Sequence, residues 1–181
     1  MSTRRTVFLR QCFASLAFAA TLALPAAAED APATLMSRDP RDSVRVSDPS
    51  LAHPLRRAVQ GADAWLDKPA CLELFNDFRD EQGVLLASIL KERGRDAREQ
   101  LRSIFFYDGA QHPVCRAGGS AAVSNPGSAV VFVCPLFGDY SRDVNQARAV
   151  VVHELLHTLG LGENPPTSRE ITKRVLARCL H

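Results

Sequence analysis

The chain has 181 residues, of which 22 are basic and 20 acidic, so its formal charge at pH 7 is +2. Three basic residues, Arg4, Arg5 and Arg10, lie in the first 28 residues, where there is no acidic residue. From residue 29 onward there are 19 basic and 20 acidic residues, so the formal charge of this part is −1. This balance excludes the strongly basic surface that nucleic-acid or anionic-membrane binding requires.

The first 28 residues have the three parts of a secretory signal peptide. A basic start precedes a short apolar run from Cys12 to Leu24, and small residues follow from Ala26 to Ala28. We predict cleavage near Ala28 and an exported, periplasmic or extracellular protein, by the general or the twin-arginine route. The alternative is an N-terminal membrane anchor. The run is shorter than the roughly 20 residues of a membrane helix, so we expect no stable anchor.

Residues 29–50 form a second compositional segment. They are rich in Pro, Asp, Ser and Arg and contain few large apolar residues, which predicts a flexible leader. Residues 51–181 have the length of one domain.

The first half of this domain has the periodicity of helices. Apolar residues recur at helical spacing between Leu51 and Leu66, between Cys71 and Phe78, and between Val84 and Leu90. Asp96 and Glu99 then form the pattern of a capping box, which predicts another short helix.

The second half begins with strands and returns to helices. SIFFYDG, Ser103 to Gly109, predicts one strand, and Ala121 to Cys134 predicts two strands around a turn at residues 125–127. Helical spacing resumes at Arg142, and a last helix is expected over residues 168–180. The order predicts an α+β fold with N-terminal helices, a short, mainly antiparallel sheet and two C-terminal helices.

Four cysteines remain after the signal peptide: Cys71, Cys115, Cys134 and Cys179. An even number in an exported chain predicts two disulfides, with three pairings open. We favour Cys115 with Cys134, because they flank the predicted hairpin. Cys71 would then pair with Cys179 and tie an early helix to the C-terminus.

The stretch HELLHTLGLGE begins with two histidines four residues apart, His153 and His157. On a helix this spacing places both rings on one face, where they can bind one zinc ion. Glu154 follows the first histidine. This is the H-E-x-x-H arrangement, in which zinc acidifies a water molecule and the glutamate takes its proton.

A catalytic zinc ion commonly has three protein ligands, so a third ligand is needed. The candidates are Glu163, Glu170, His112 and His181. Glu170 has a structural explanation, because Thr167 to Glu170 forms a capping box that would occupy its carboxylate. His112, in a loop, and His181, at the C-terminus, are expected to be solvated.

Glu163 is the candidate that we favour. Gly160 can end the helix in a left-handed turn, and Leu161 and Gly162 can then bring Glu163 back toward the histidines. The alternative is that Glu163 is an exposed loop acid.

HELLHTLGLGE resembles the zinc motif of the zincin metallopeptidases, and in particular the metzincin pattern H-E-x-x-H-x-x-G-x-x-H. His153, Glu154, His157 and Gly160 match this pattern, and Glu163 stands where its third histidine would be. Secreted bacterial peptidases of the snapalysin type carry an aspartate there. The resemblance implies zinc at the two histidines and Glu163, with Glu154 as general base.

The resemblance is limited to this stretch and to the strand VVFVC before the helix. The methionine turn of metzincins is missing, since the chain has only Met1 and Met36. The G-T-x-D motif of aspzincins is missing too. The sequence therefore indicates a zincin-like domain without a subfamily.

We expect a monomeric zinc metalloendopeptidase that hydrolyses protein or peptide substrates. Substrate would lie along an edge strand at Ala129 to Cys134. Tyr140 and Tyr107 are candidates for the oxyanion partner, although we favour a packing role for each, and the sequence does not identify this partner. The alternatives are a zinc hydrolase of a cell-wall amide, or a non-catalytic binding module that zinc stabilises.

Overall fold

A computed structural model describes residues 39–181. The predicted signal peptide, residues 1–28, and residues 29–38 of the predicted leader lie outside the described residues. Within residues 39–181, no helix is both long and apolar enough to cross a membrane.

The described chain is an α+β domain that opens with a 3-10 turn at Pro40–Ser43. The elements that follow are β1 (Val44–Arg45), α1 (Pro49–Trp65), α2 (Pro69–Leu72), α3 (Leu74–Asp77), α4 (Leu86–Glu92), α5 (Ala97–Arg102), β2 (Phe105–Asp108), α6 (Pro113–Ala117), β3 (Ala122–Ser124), β4 (Val130–Val133), α7 (Phe137–Tyr140), α8 (Val144–Thr158) and α9 (Ser168–Cys179). Helix α5 begins with the predicted capping box of Asp96 and Glu99.

The sheet has the strand order β1-β2-β4-β3 and is mixed. Among the described strands, β1 with β2 and β2 with β4 are parallel, and only β3 with β4 is antiparallel. The prediction of a mainly antiparallel sheet is therefore wrong. Only the β3–β4 connection is a short turn, whereas the other two pass through helices, and parallel strands need such long crossovers.

The edge strand of the sheet also differs from the prediction. β4 lies between β2 and β3, so Ala129 to Cys134 is an internal segment, and β3 is the edge strand on that side of the sheet, as β1 is on the other. The two sequences explain this difference, because VVFV buries Val131 and Val133 almost completely while AVS is half-buried throughout. The segment richest in β-branched residues thus forms the better-covered strand.

The domain begins before residue 51. Val44 is 3% exposed and Val46 6% exposed, and β1 pairs with β2. Residues 39–50 therefore belong to the domain and not to the predicted flexible leader. Val44 lies in β1 and Val46 directly after it, and their burial anchors an otherwise polar segment to the domain.

Helix α8 lies at the centre of the domain. Every residue from Ala149 to Thr158 is buried, and α1, α9 and β3 all pack against the helix. Gly61 makes the contact with α1 close, because a side chain there would collide with Arg148. The Arg148 guanidinium lies 5.7 Å from the centre of the Trp65 ring.

Both predicted disulfides are confirmed. Cys115 is bonded to Cys134 across 19 residues of sequence, and Cys71 to Cys179 across 108. The second bond attaches the end of α9 to α2 and so holds the C-terminal helix against the first half of the domain.

Candidate metal centre

Three side chains converge beside α8. The Nε2 atoms of His153 and His157 lie 2.9 Å apart, and each lies 3.4 Å from Oε1 of Glu163. In a tetrahedral site with ligand distances of about 2.0–2.1 Å, ligand atoms are about 3.3–3.4 Å apart. The two edges to Glu163 match this spacing, and the edge between the histidines is somewhat shorter. This group could hold a metal ion.

Glu163 reaches the histidines through the predicted left-handed turn. Helix α8 ends at Thr158, and Gly160 follows with φ +102°. Because a side chain is strained in this conformation, glycine allows the chain to reverse here. Leu161 is then buried and fixes the start of the loop that returns Glu163 to α8.

The histidine rings are oriented by hydrogen bonds at their other nitrogens. Nδ1 of His157 donates to the carbonyl oxygen of Leu161 at 2.6 Å, so its Nε2 carries a lone pair. Nδ1 of His153 lies 3.0 Å from Oγ1 of Thr172, and donation to this hydroxyl leaves Nε2 unprotonated as well. Two lone pairs and a carboxylate then face one another. A proton satisfies two of these atoms at a time, whereas a metal ion satisfies all three.

The charge of Glu163 suits the role of a ligand. When the histidines of the metal-free site are protonated, a hydrogen bond with His153, the charges of both rings and a hydrogen bond with Ser168 lower the pKa of Glu163 in spite of its partial burial. Its carboxylate is therefore ionised at neutral pH.

The other candidates for the third ligand lie elsewhere. Glu170 accepts hydrogen bonds from the backbone N–H and the hydroxyl of Thr167, both at 2.8 Å, in the predicted capping box. The ring of His112 stacks on Phe132 at 4.9 Å between centroids. His181 is exposed at the C-terminus.

Glu154 is buried in the same cavity without belonging to the donor group. Burial raises its pKa to about 7, and the charge of Glu163 adds to this effect, while His157 and the hydroxyl of Ser124 oppose it. Ser124 donates to Oε2 of Glu154 at 2.7 Å. Sequence reasoning missed Ser124, since nothing in the chain marks a serine on β3 as the partner of a residue 30 positions away.

The cavity that contains these groups has a volume of about 400 Å³. Its walls are the edge strand β3, the segment before it, and residues of α8 and α9. Tyr140 lines the cavity and is 37% exposed. Tyr107 lies on β2 and does not line it. Of the two tyrosines considered from the sequence, the structure brings Tyr140 to the site.

The turn between β3 and β4 is hydrogen-bonded to the end of helix α8. The backbone N–H of Gly127 donates to the carbonyl oxygen of His157 at 2.8 Å. This bond holds the edge strand and the end of α8 in a fixed relation. The cavity between them is thus defined by backbone contacts as well as by side chains.

No known family, curated protein or solved structure gives a significant match to this chain.

The assignment of the third ligand is tested by two glutamate variants. Glu163→Ala removes one of three ligands and is expected to abolish stoichiometric zinc binding, measured by metal analysis after dialysis. Glu170→Ala removes only a helix cap. We expect this variant to bind zinc normally and to be slightly less stable, because it loses one half of the capping box. Full metal content in Glu163→Ala with loss in Glu170→Ala would refute the assignment.

The raised pKa of Glu154 predicts a pH dependence of stability in chelator-treated protein. Below pH 4.5, which is the ordinary pKa of a glutamate, the Glu154 carboxyl is protonated in both the folded and the unfolded chain. As the pH rises toward 7, the unfolded chain ionises first, so the free energy of unfolding falls.

The size of this loss should be on the order of 3 kcal/mol across that interval. It is measured by urea unfolding of the wild type against Glu154→Gln, whose neutral side chain does not titrate. The difference in stability between the two proteins should move in favour of the variant as the pH rises. A constant difference would contradict the burial effect.

Proposed function

We propose that this protein is an exported, zinc-dependent metalloendopeptidase. One observation carries the proposal: His153, His157 and Glu163 converge on one point beside the buried carboxyl of Glu154, within a single cavity. The two disulfides support an oxidising compartment such as the periplasm or the cell exterior.

Zinc bound by these three side chains would acidify a water molecule and polarise the scissile carbonyl. Glu154 would accept the proton of the attacking water and pass it to the amine nitrogen that leaves. A carboxyl with a pKa of about 7 suits both transfers near neutral pH. The hydrogen bond from Ser124 would hold Oε2 in place and leave Oε1 for the proton.

The substrate would be an extended peptide that adds to β3. This strand is at the end of the sheet and lines the cavity, so a peptide beside it could form backbone hydrogen bonds while its scissile bond faces the histidines. Within the described residues, the cavity walls include no lysine or arginine that would bind a terminal carboxylate. This charge pattern favours cleavage within a chain over removal of C-terminal residues.

A catalytic site explains the donor group better than a structural zinc module does. A structural zinc site is closed by four protein ligands. Here the group comprises three side chains among the described residues, and they line a cavity together with a fourth ionisable group that is not a ligand.

The central experiment compares the mature protein with its Glu154→Gln variant. We expect one zinc ion in both proteins and a loss of at least about 100-fold in cleavage of a mixed peptide library by the variant. Cell-wall fragments are assayed in parallel. Wild-type protein that binds zinc but cleaves no peptide would refute the endopeptidase, and release of wall fragments would replace it with the amide hydrolase.

Tyr140 is proposed to donate a hydrogen bond to the oxyanion that develops on the scissile carbonyl. Tyr140→Phe should lower kcat about 100-fold with little change in KM, because the bond forms in the transition state. Tyr107→Phe is the matched control, since that exposed tyrosine lies outside the cavity. Equal kinetics for the two variants would remove Tyr140 from the reaction.

A further inference from the structure

We infer that Thr172 is a positioning residue for the ligand His153, and that helix α9 thereby sets the metal affinity of the centre. This inference rests on the metal site of the proposed function. It assigns a role to a hydroxyl group that is neither a ligand nor a part of the H-E-x-x-H motif.

The two histidines are oriented in different ways. His157 donates to the carbonyl oxygen of Leu161, four residues further along its own chain segment. His153 has its partner on another helix, where Oγ1 of Thr172 lies 3.0 Å from Nδ1. The orientation of His157 is therefore local, whereas that of His153 depends on the docking of α9.

Thr172 lies on a face of α9 that supports two of the three metal donors. Ser168, one helical turn earlier, lines the same cavity as Glu163. Residues four apart on a helix share a face, so both hydroxyls line the cavity. The C-terminal helix is thus the outer support of His153 and Glu163.

Contacts at the far end of α9 hold this face in position. Ile171 and Val175 are fully buried beneath the helix. Arg178 forms two hydrogen bonds of 2.8 Å with Asp77, and the disulfide of Cys179 closes the end. A hydroxyl on such an anchored helix can restrain a ring that it contacts.

The restraint matters because a histidine ligand must present the correct tautomer. Donation of Nδ1–H to Thr172 leaves the Nε2 lone pair directed at Glu163 and His157. Without this acceptor the ring is free to rotate and to carry its proton on Nε2. Loss of such an outer partner typically costs 10- to 100-fold in metal affinity.

The test measures zinc affinity by competition with a chromophoric chelator, together with the visible spectrum of the cobalt-substituted protein. Thr172→Val replaces the hydroxyl with a methyl group, and Thr172→Ala serves if the first variant folds poorly. Thr172→Ser restores the hydroxyl. Lys173→Ala is the control, because it changes the exposed residue next to Thr172 on α9 and that residue does not line the cavity.

We expect about 10- to 100-fold weaker zinc binding and altered cobalt bands in Thr172→Val or Thr172→Ala. Thr172→Ser and Lys173→Ala should retain the wild-type affinity and spectrum. Unchanged affinity in the variants without the hydroxyl overturns the inference, and so does an equal loss in Lys173→Ala. Wild-type protein that binds neither metal overturns the inference and the proposed function together. Wild-type protein that binds zinc, with unchanged affinity in the variants without the hydroxyl, overturns the inference alone.

Discussion

The structure depends on the placement of three ionisable side chains in the part of helix α8 that is buried on all sides. Every residue of α8 from Ala149 to Thr158 is buried, including His153, Glu154 and His157. Polar groups removed from water are costly unless they have partners. The surrounding elements must therefore supply those partners, and the arrangement of the domain around α8 follows from this requirement.

The partners come from three directions. The loop after α8 contributes the carbonyl of Leu161 and the carboxylate of Glu163, β3 contributes the hydroxyl of Ser124, and α9 contributes Thr172. Removing any of these groups would leave a buried polar atom of α8 without its partner. The edge strand and the C-terminal helix are thus parts of the site as well as of the fold, and the cavity lies between them.

The sequence was sufficient to predict the features that depend only on residues close together in the chain. The capping boxes at Asp96 and Thr167, the turn at Gly160 and the helical spacing before His153 each involve residues within one or two turns. The disulfide pairing also followed, because the predicted hairpin brings Cys115 and Cys134 together and leaves one other pair. Strand order did not follow, since parallel pairing depends on crossovers that local pattern does not encode.

The sequence alone determined that the two histidines share one face of a helix that also carries Glu154, since residues four apart on a helix lie on the same side whatever surrounds it. It also narrowed the third donor to a few residues. Only the tertiary structure decided that Glu163 meets the histidines and that β3 forms a wall of the cavity. It also decided that Ser124 contacts Glu154 and that Thr172 contacts His153. Each of these contacts joins residues brought together by packing, and packing depends on the whole chain.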